Sequence, residues 1–290
     1  MFERFIARIH RGWVMAVAAS RLVGQQPKLI AIAALPLLAL VALVALIAYG
    51  PGGAVLDAIR SAPRDWHTTL LLASAFGAYL LIWFVITFCN TVMVLATLSQ
   101  LDTGRVSVGE CFGIAVSRLP QIIAWSIFAA TIGLALNMLS ALLKEKLGLI
   151  GSIIGVTFEA TWAVATYFAL PVLVVEGVGP VDATKRSYQL MKQTWGESLG
   201  GNVGTGLLGL ALMLPVLAVQ FWFAGSGGPG LGAMLPSLLL VTLLYVGAVS
   251  LFMAAVNGVL RSALYMFAVS GEAPRGFDPH MMSGAFQPRR

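Results

Sequence analysis

Charge is what this sequence has least of. Only 10% of its 290 residues are Asp, Glu, Lys or Arg, against 59% hydrophobic, and the mean hydropathy is +0.89. A soluble domain carries roughly 25% charged residues. A chain this long with so few cannot cover its surface in water, which excludes an ordinary soluble globule and makes an integral membrane protein the expected class. Cysteine is as scarce: Cys89 sits inside an apolar run and Cys111 in a short polar-flanked segment, so neither a disulfide framework nor metal-ligand spacing exists. His10, His67 and His280 are far apart and read as surface or interfacial residues. No long apolar run contains His or Asp, which removes the Ser–His and paired-Asp arrangements that intramembrane proteolysis needs. HExxH, GxSxG and P-loop signatures are missing too. Phosphodiester chemistry would need carboxylates or His in a soluble domain, and none is present. No enzyme activity, metal or cofactor is therefore expected. The net charge of +6 does not point to nucleic acid, because the basic residues are scattered at the ends of apolar runs without interleaved aromatics. Residues 1–28 lack the short apolar core and small-residue cleavage site of a signal peptide, so the N-terminus is expected to be retained.

Long apolar runs are what the sequence has in abundance. A helix needs about 20 apolar residues to cross the hydrocarbon core, and six runs qualify: roughly 29–49, 69–98, 121–143, 151–175, 201–224 and 237–268. Lipid forbids unsatisfied backbone, so each run is expected to be helical. The expected fold is an all-α polytopic bundle, a single membrane domain over residues 1–290. Orientation follows from Lys and Arg. Arg4, Arg8, Arg11, Arg21, Lys28, Arg105, Arg118, Lys185, Arg186, Lys192, Arg275, Arg289 and Arg290 fall on one side, and only Arg60, Arg64, Lys144 and Lys146 on the other. That asymmetry places both termini in the cytoplasm, with residues 269–290 as a cytoplasmic tail. On the outer side, 50–68 is the largest segment, with Trp66 as an interfacial anchor, and "KEK" at 144–146 caps a tight hairpin.

Three cytoplasmic segments read as interfacial helices. Over 2–21, Phe2, Phe5, Ile6, Ile9 and Trp13 form one stripe opposite Arg4, Arg8 and Arg11. Residues 107–119 give a weaker version. Over 182–196, Ala183, Ser187, Leu190, Met191 and Trp195 recur at helical spacing, with Lys185, Arg186 and Lys192 between them. The turn before this helix runs through Glu176 and Gly177 to Pro180, a residue suited to a first helical turn, with Asp182 near the positive helix end. The unit of span, polar turn, interfacial helix and span recurs. "FCNTVMVLATLSQLDTG" (88–104) and "AVNGVLRSALYMFAVSG" (255–271) each run from an intramembrane Asn to a Gly fourteen residues later. A pseudo-threefold parallel repeat is the expectation.

Polar residues inside spans are costly and suggest function by default. Glu159, about 12 Å into the fourth span by helical rise, is the best candidate. Asn90 and Asn257 either line a polar cavity with it or act as interhelical hydrogen-bond glue. Arg261 lies near the cytoplasmic end of the sixth span and reads as snorkelling to the headgroups. "GSIIG" (151–155), and Gly200 with Gly204, mark tight helix packing.

The pattern F-x-x-P-V-L-V-V-E-G-V-G-P-x-x-A-x-x-x-S at 168–187, followed by "TWGE", resembles a family of uncharacterised six-span prokaryotic membrane proteins. Phe168, Pro171, Glu176, Pro180, Ala183, Ser187, Trp195 and Gly196 carry that resemblance, and "GFD" at 276–278 fits it. The chain is more loosely similar to the membrane domain that accompanies some glycerophosphodiester phosphodiesterases. The resemblance implies the fold and no activity. Two functional readings follow from the residues. One is a non-catalytic membrane protein whose basic cytoplasmic segments bind anionic lipid headgroups, a second copy of the chain or another membrane protein. The other is a transporter or channel using Glu159, Asn90 and Asn257.

Overall fold

A computed structural model describes residues 2–49, 51–63, 66–226, 231–279 and 282. Side chains are described from His10 onward, except at 11, 48, 51, 56, 193–203, 224–226 and 231–235. The elements in chain order are α1 (Phe2–Gln25), α2 (Pro27–Ala33), α3 (Leu35–Tyr49), α4 (Pro51–Ser61), α5 (His67–Thr103), α6 (Val108–Ser117), α7 (Leu119–Ala165), α8 (Ala169–Glu176), α9 (Pro180–Ser226) and α10 (Leu231–Ser270). No strand occurs among the described residues. Among the described residues, five stretches are long and apolar enough to cross a membrane: Pro27–Ile47, His67–Thr103, Leu119–Glu176, Gly204–Phe223 and Pro236–Ser270.

The breaks follow local chemistry. Gln26 separates α1 from α2 immediately before Pro27, where the helical region is disfavoured for the preceding residue. The segment 50–68 after α3, expected to be the largest outer segment with Trp66 as its anchor, contains a helix of its own, α4.

The long α7 is not one rod. Phe128 and Trp162 have ring centroids 5.9 Å apart, and the Ser140 hydroxyl donates to the Glu159 carboxyl at 2.9 Å. On a straight helix the first pair would be separated by about 50 Å. The chain folds back at Gly148, whose φ of 56° and ψ of −126° leave the helical region at positive φ, where glycine meets no steric penalty. The expected hairpin is present, but it turns just beyond the Lys144–Glu145–Lys146 run. Its arms approach closely because they are lined with small residues. A Cβ at Gly151 would collide with the carbonyl of Leu143, and one at Gly155 with Ser140.

The chain forms two compact units. The first comprises Met1–Ala33, Thr97–Val106 and Lys192–Arg290. Its core is the α10 stripe of Ala255, Val256, Val259, Leu260, Ala263 and Leu264, with Ala16, Ala19 and Val23 of α1 and Leu29 and Ile32 of α2 also buried. Gly204 of α9 lies against the backbone of Gly12 on α1, the close approach expected of a small residue. The second unit comprises Ala34–Ala96 and Ser107–Met191. Ile122, Trp125 and Ala130 of α7, Phe168, and Val172 and Leu173 of α8 are buried there. Large apolar side chains elsewhere, among them Leu149, Phe221 and Leu243, stand exposed. In water such a surface would aggregate; against acyl chains it is solvated.

Candidate functional site

Among the described residues, three helices end on a left-handed glycine. Gly104 closes α5 with φ 75°, Gly177 closes α8 with φ 70°, and Gly271 closes α10 with φ 73°. Each glycine amide bonds back to the carbonyl four residues earlier: to Gln100 at 3.0 Å, Leu173 at 3.1 Å and Phe267 at 2.8 Å. This is the single-bond αL cap, which places glycine where a Cβ would be strained. Gly104 and Gly271 are the glycines on which the expected repeat was aligned, and Gly177 stands at the Glu176–Gly177 turn.

Cations sit at two of these helix ends. In the second unit, the Arg118 guanidinium lies against the bare Cα of Gly177. In the first unit, Arg275 Nη1 donates to the Thr103 carbonyl at 3.0 Å, and Lys28 Nζ to the Val106 carbonyl at 3.4 Å. A helix C-terminus carries a partial negative charge and unpaired carbonyls, so a guanidinium or ammonium there is favourable. The positive-side count had registered Arg118 and Arg275 only as topology signals. Their capping role depends on which backbone they reach.

The turn from α8 to α9 gathers most of the motif. Glu176 accepts from Arg186 at 3.3 Å, and Lys185 pairs with Asp182 at 3.8 Å. Pro180 opens α9. The predicted stripe of Ala183, Ser187, Leu190 and Met191 is fully buried, each residue at 2% exposure or less. Its apolar face is therefore consumed by the protein. Lys185, Tyr188, Gln189 and Lys192 remain exposed. The Trp195 side chain lies outside the described residues, as do the N-terminal stripe apart from Trp13 and the tail cations Arg289 and Arg290.

Phe168 and Ser187 explain why the motif spans so many residues. Pro171 cannot continue α7 as a straight helix, since its ring would meet the carbonyl four residues back. Residues 166–168 leave the helix, and the Phe168 amide donates instead to Ser187 Oγ at 2.9 Å.

The polar residues of the predicted spans fall in both units. Glu159 is exposed on the second arm of the α7 hairpin, with Ser140 donating to its Oε1. Asn90 is exposed in the second unit; Asn257 is exposed and Arg261 half-buried in the first. A groove of about 350 Å³ in the second unit is lined by Gly77, Leu80, Leu81, Phe84, Ile123, Ser126 and Ile127. It contains neither Glu159 nor Asn90, and the Ser126 hydroxyl is committed to the Ile122 carbonyl at 2.7 Å. Polar residues that escaped the sequence reading include Gln220, whose Nε2 donates to Thr242 Oγ1 at 2.8 Å, and Asn137, exposed in the first arm of the hairpin, with its Nδ2 bonded to the Gly133 carbonyl at 3.0 Å. A lone Asn in an apolar run carries little signal until its neighbours are known.

Both cysteines are buried free thiols. Burial pushes the Cys111 thiol above its ordinary pKa, and the neighbouring Glu110 carboxylate adds to the rise, against a smaller lowering by a backbone hydrogen bond. No group of three or more His, Cys, Asp or Glu able to hold a metal occurs among the described residues.

Residues 69–276 match the model of a family of unknown function, DUF6159. No curated protein and no solved structure matches the chain. Nothing in these comparisons links it to the membrane domain of glycerophosphodiester phosphodiesterases.

Proposed function

This chain belongs to the DUF6159 family of unknown function, and from that premise we propose that it is a non-catalytic integral membrane protein whose cytoplasmic face binds anionic lipid headgroups or partner proteins. It crosses the membrane six times with both termini inside. The fold-back at Gly148 supports this count, because it divides the stretch Leu119–Glu176 into two arms, each able to cross. The three left-handed glycine turns support the pseudo-threefold parallel repeat, since Gly104, Gly177 and Gly271 then occupy equivalent places at the cytoplasmic ends of descending helices.

The observation that carries the reading is the fate of the stripe on α9. With Ala183, Ser187, Leu190 and Met191 buried, what the helix offers outward over 181–192 is Val181, Asp182, Lys185, Tyr188, Gln189 and Lys192, two cations against the one carboxylate that pairs with Lys185. An exposed cationic surface beside a membrane attracts anionic headgroups at about 1 kcal/mol per Lys or Arg. Native mass spectrometry of the full chain purified from membranes is the test. The wild type is expected to retain anionic phospholipid. Replacing Lys185 and Lys192 by Gln is expected to reduce the retained anionic lipid several-fold. Equal retention by the variant rejects headgroup binding at this helix.

A further inference from the structure

The α7 hairpin carries a polar patch that the described chain leaves open. Asn137 and Glu159 are each eleven residues from Gly148, one on each arm. At about 1.5 Å per residue, both lie some 16 Å from the turn, near the middle of a core about 30 Å thick. The facing residues fix the rotation of the arms: Ser140 meets Gly155 and Glu159, and Phe128 meets Trp162. At about 100° per residue, Asn137 lies roughly 60° round its arm from Ser140, and Glu159 roughly 40° round the other from Gly155. The two rotations have the same sense, and in antiparallel arms that brings both residues to one side of the pair. Both are exposed there.

A carboxyl exposed to acyl chains at mid-depth is costly, by roughly 2.5–3.5 kcal/mol or more on insertion scales. Ser140 relieves one oxygen of Glu159 only. Asn137 spends one amide hydrogen on Gly133 and keeps its carbonyl and a second hydrogen for another partner. We propose that this face is a homodimer interface, closed by reciprocal Glu159–Asn137 hydrogen bonds between two copies of the chain. The patch is self-complementary. Seen along the membrane normal, Asn137 lies on one arm and Glu159 on the other, at equal depth. A twofold axis along the normal sets Glu159 of each copy opposite Asn137 of its mate, at a single level. The pairing works for either form of the carboxyl: a carboxylate accepts from Asn137 Nδ2, and a carboxylic acid donates to Asn137 Oδ1. A different partner would have to supply both groups at that same depth.

The inference rests on the membrane-spanning reading above. Its test is single-molecule photobleaching of the full chain, labelled at Arg60→Cys and reconstituted in liposomes over a range of protein-to-lipid ratios. The wild type is expected to bleach in two steps with rising density. Asn137→Leu and Glu159→Leu are each expected to move the dimer midpoint to about tenfold higher density, the effect of losing two modest interhelical hydrogen bonds. The double variant is expected to be no weaker than either single one, because each single change already breaks both bonds. Glu159→Gln keeps a donor and an acceptor for Asn137 and is expected to stay within about twofold of the wild type. Ser140→Ala, which removes only the bond within the hairpin, is expected to do the same. A monomer at every density, or a dimer that neither leucine variant weakens, overturns the proposal. Labelling of Cys introduced at positions 60 and 185 from opposite sides of the same liposomes checks the threading separately, so failure of the dimer and failure of the span reading give different results.

Discussion

The Phe168 amide donates to Ser187 Oγ at 2.9 Å, and neither residue is exposed at all. This one bond ties the start of α9 to the break between α7 and α8. Pro171 creates the break, the break frees the amide, and the serine satisfies it. Ser187→Ala leaves a buried donor without a partner and is expected to cost about 1–3 kcal/mol. Thr184→Ala, which removes only a bond to the carbonyl of Pro180 on its own helix, is expected to cost less than about 0.5 kcal/mol. Thermal unfolding of both variants in the same micelles makes the comparison; equal midpoints would deny Ser187 its role.

Gly177 and Gly179 lie in the same turn and should respond differently to alanine. Gly177 has a φ of 70° and the Arg118 guanidinium against its Cα, whereas Gly179 has neither a positive φ nor an atom within 4 Å of a built Cβ. Gly177→Ala is expected to lose about 1–2 kcal/mol from the left-handed backbone alone, with further loss as Arg118 is displaced. Gly179→Ala is expected to be neutral or slightly stabilising through the unfolded chain. Midpoints measured side by side decide it.

The Glu176–Arg186 pair is close, at 3.3 Å, but its side chains keep 30% and 42% of their exposure. Solvent screening limits such pairs to about 0–1 kcal/mol. Glu176→Gln is therefore expected to lower the unfolding midpoint only slightly, with the difference fading as salt approaches about 1 M and the Debye length falls to about 3 Å. A large, salt-independent loss would mean that Glu176 does something other than pair with Arg186.

Cys111 reacts as the thiolate, and burial together with Glu110 raises the pH at which the thiolate forms. Maleimide modification of the folded protein at neutral pH is expected to be slow at this residue, and to accelerate with pH into a range above that of an exposed cysteine. Glu110→Gln removes the repelling carboxylate and is expected to shift the rate profile back toward lower pH. Stopped alkylation followed by peptide mass spectrometry reads the rates. Identical profiles for wild type and variant would exclude the influence of Glu110.

Much of this architecture was legible in the sequence because bilayer energetics act on single segments. A run such as 237–268 has to be a helix wherever it sits, since its backbone has nothing else to bond to. The α10 boundaries, Leu231–Ser270, exceed that run by six residues at the N-terminal end and two at the C-terminal end. The packing glycines were legible for the same local reason: Gly151, Gly155 and Gly204 all lie where backbones approach closely. The stripe over Ala183–Met191 was visible as periodicity, but periodicity does not say what covers an apolar face. Lipid and protein are equally acceptable partners for Leu190, and the fold assigned it to protein.

By itself the sequence determined composition, the helical runs, the glycine turns and the distribution of positive charge, because each is fixed by the residues of one segment and the solvent around it. Only the tertiary structure decided that Arg118 meets Gly177, that Arg275 meets Thr103, that Ser187 meets Phe168, and that Ser140 meets Glu159. Those are meetings of residues distant along the chain. They depend on where it folds back, at Gly148 and Gly177 among other places, and on the rotation of each helix about its axis, which segment-by-segment hydrophobicity leaves open.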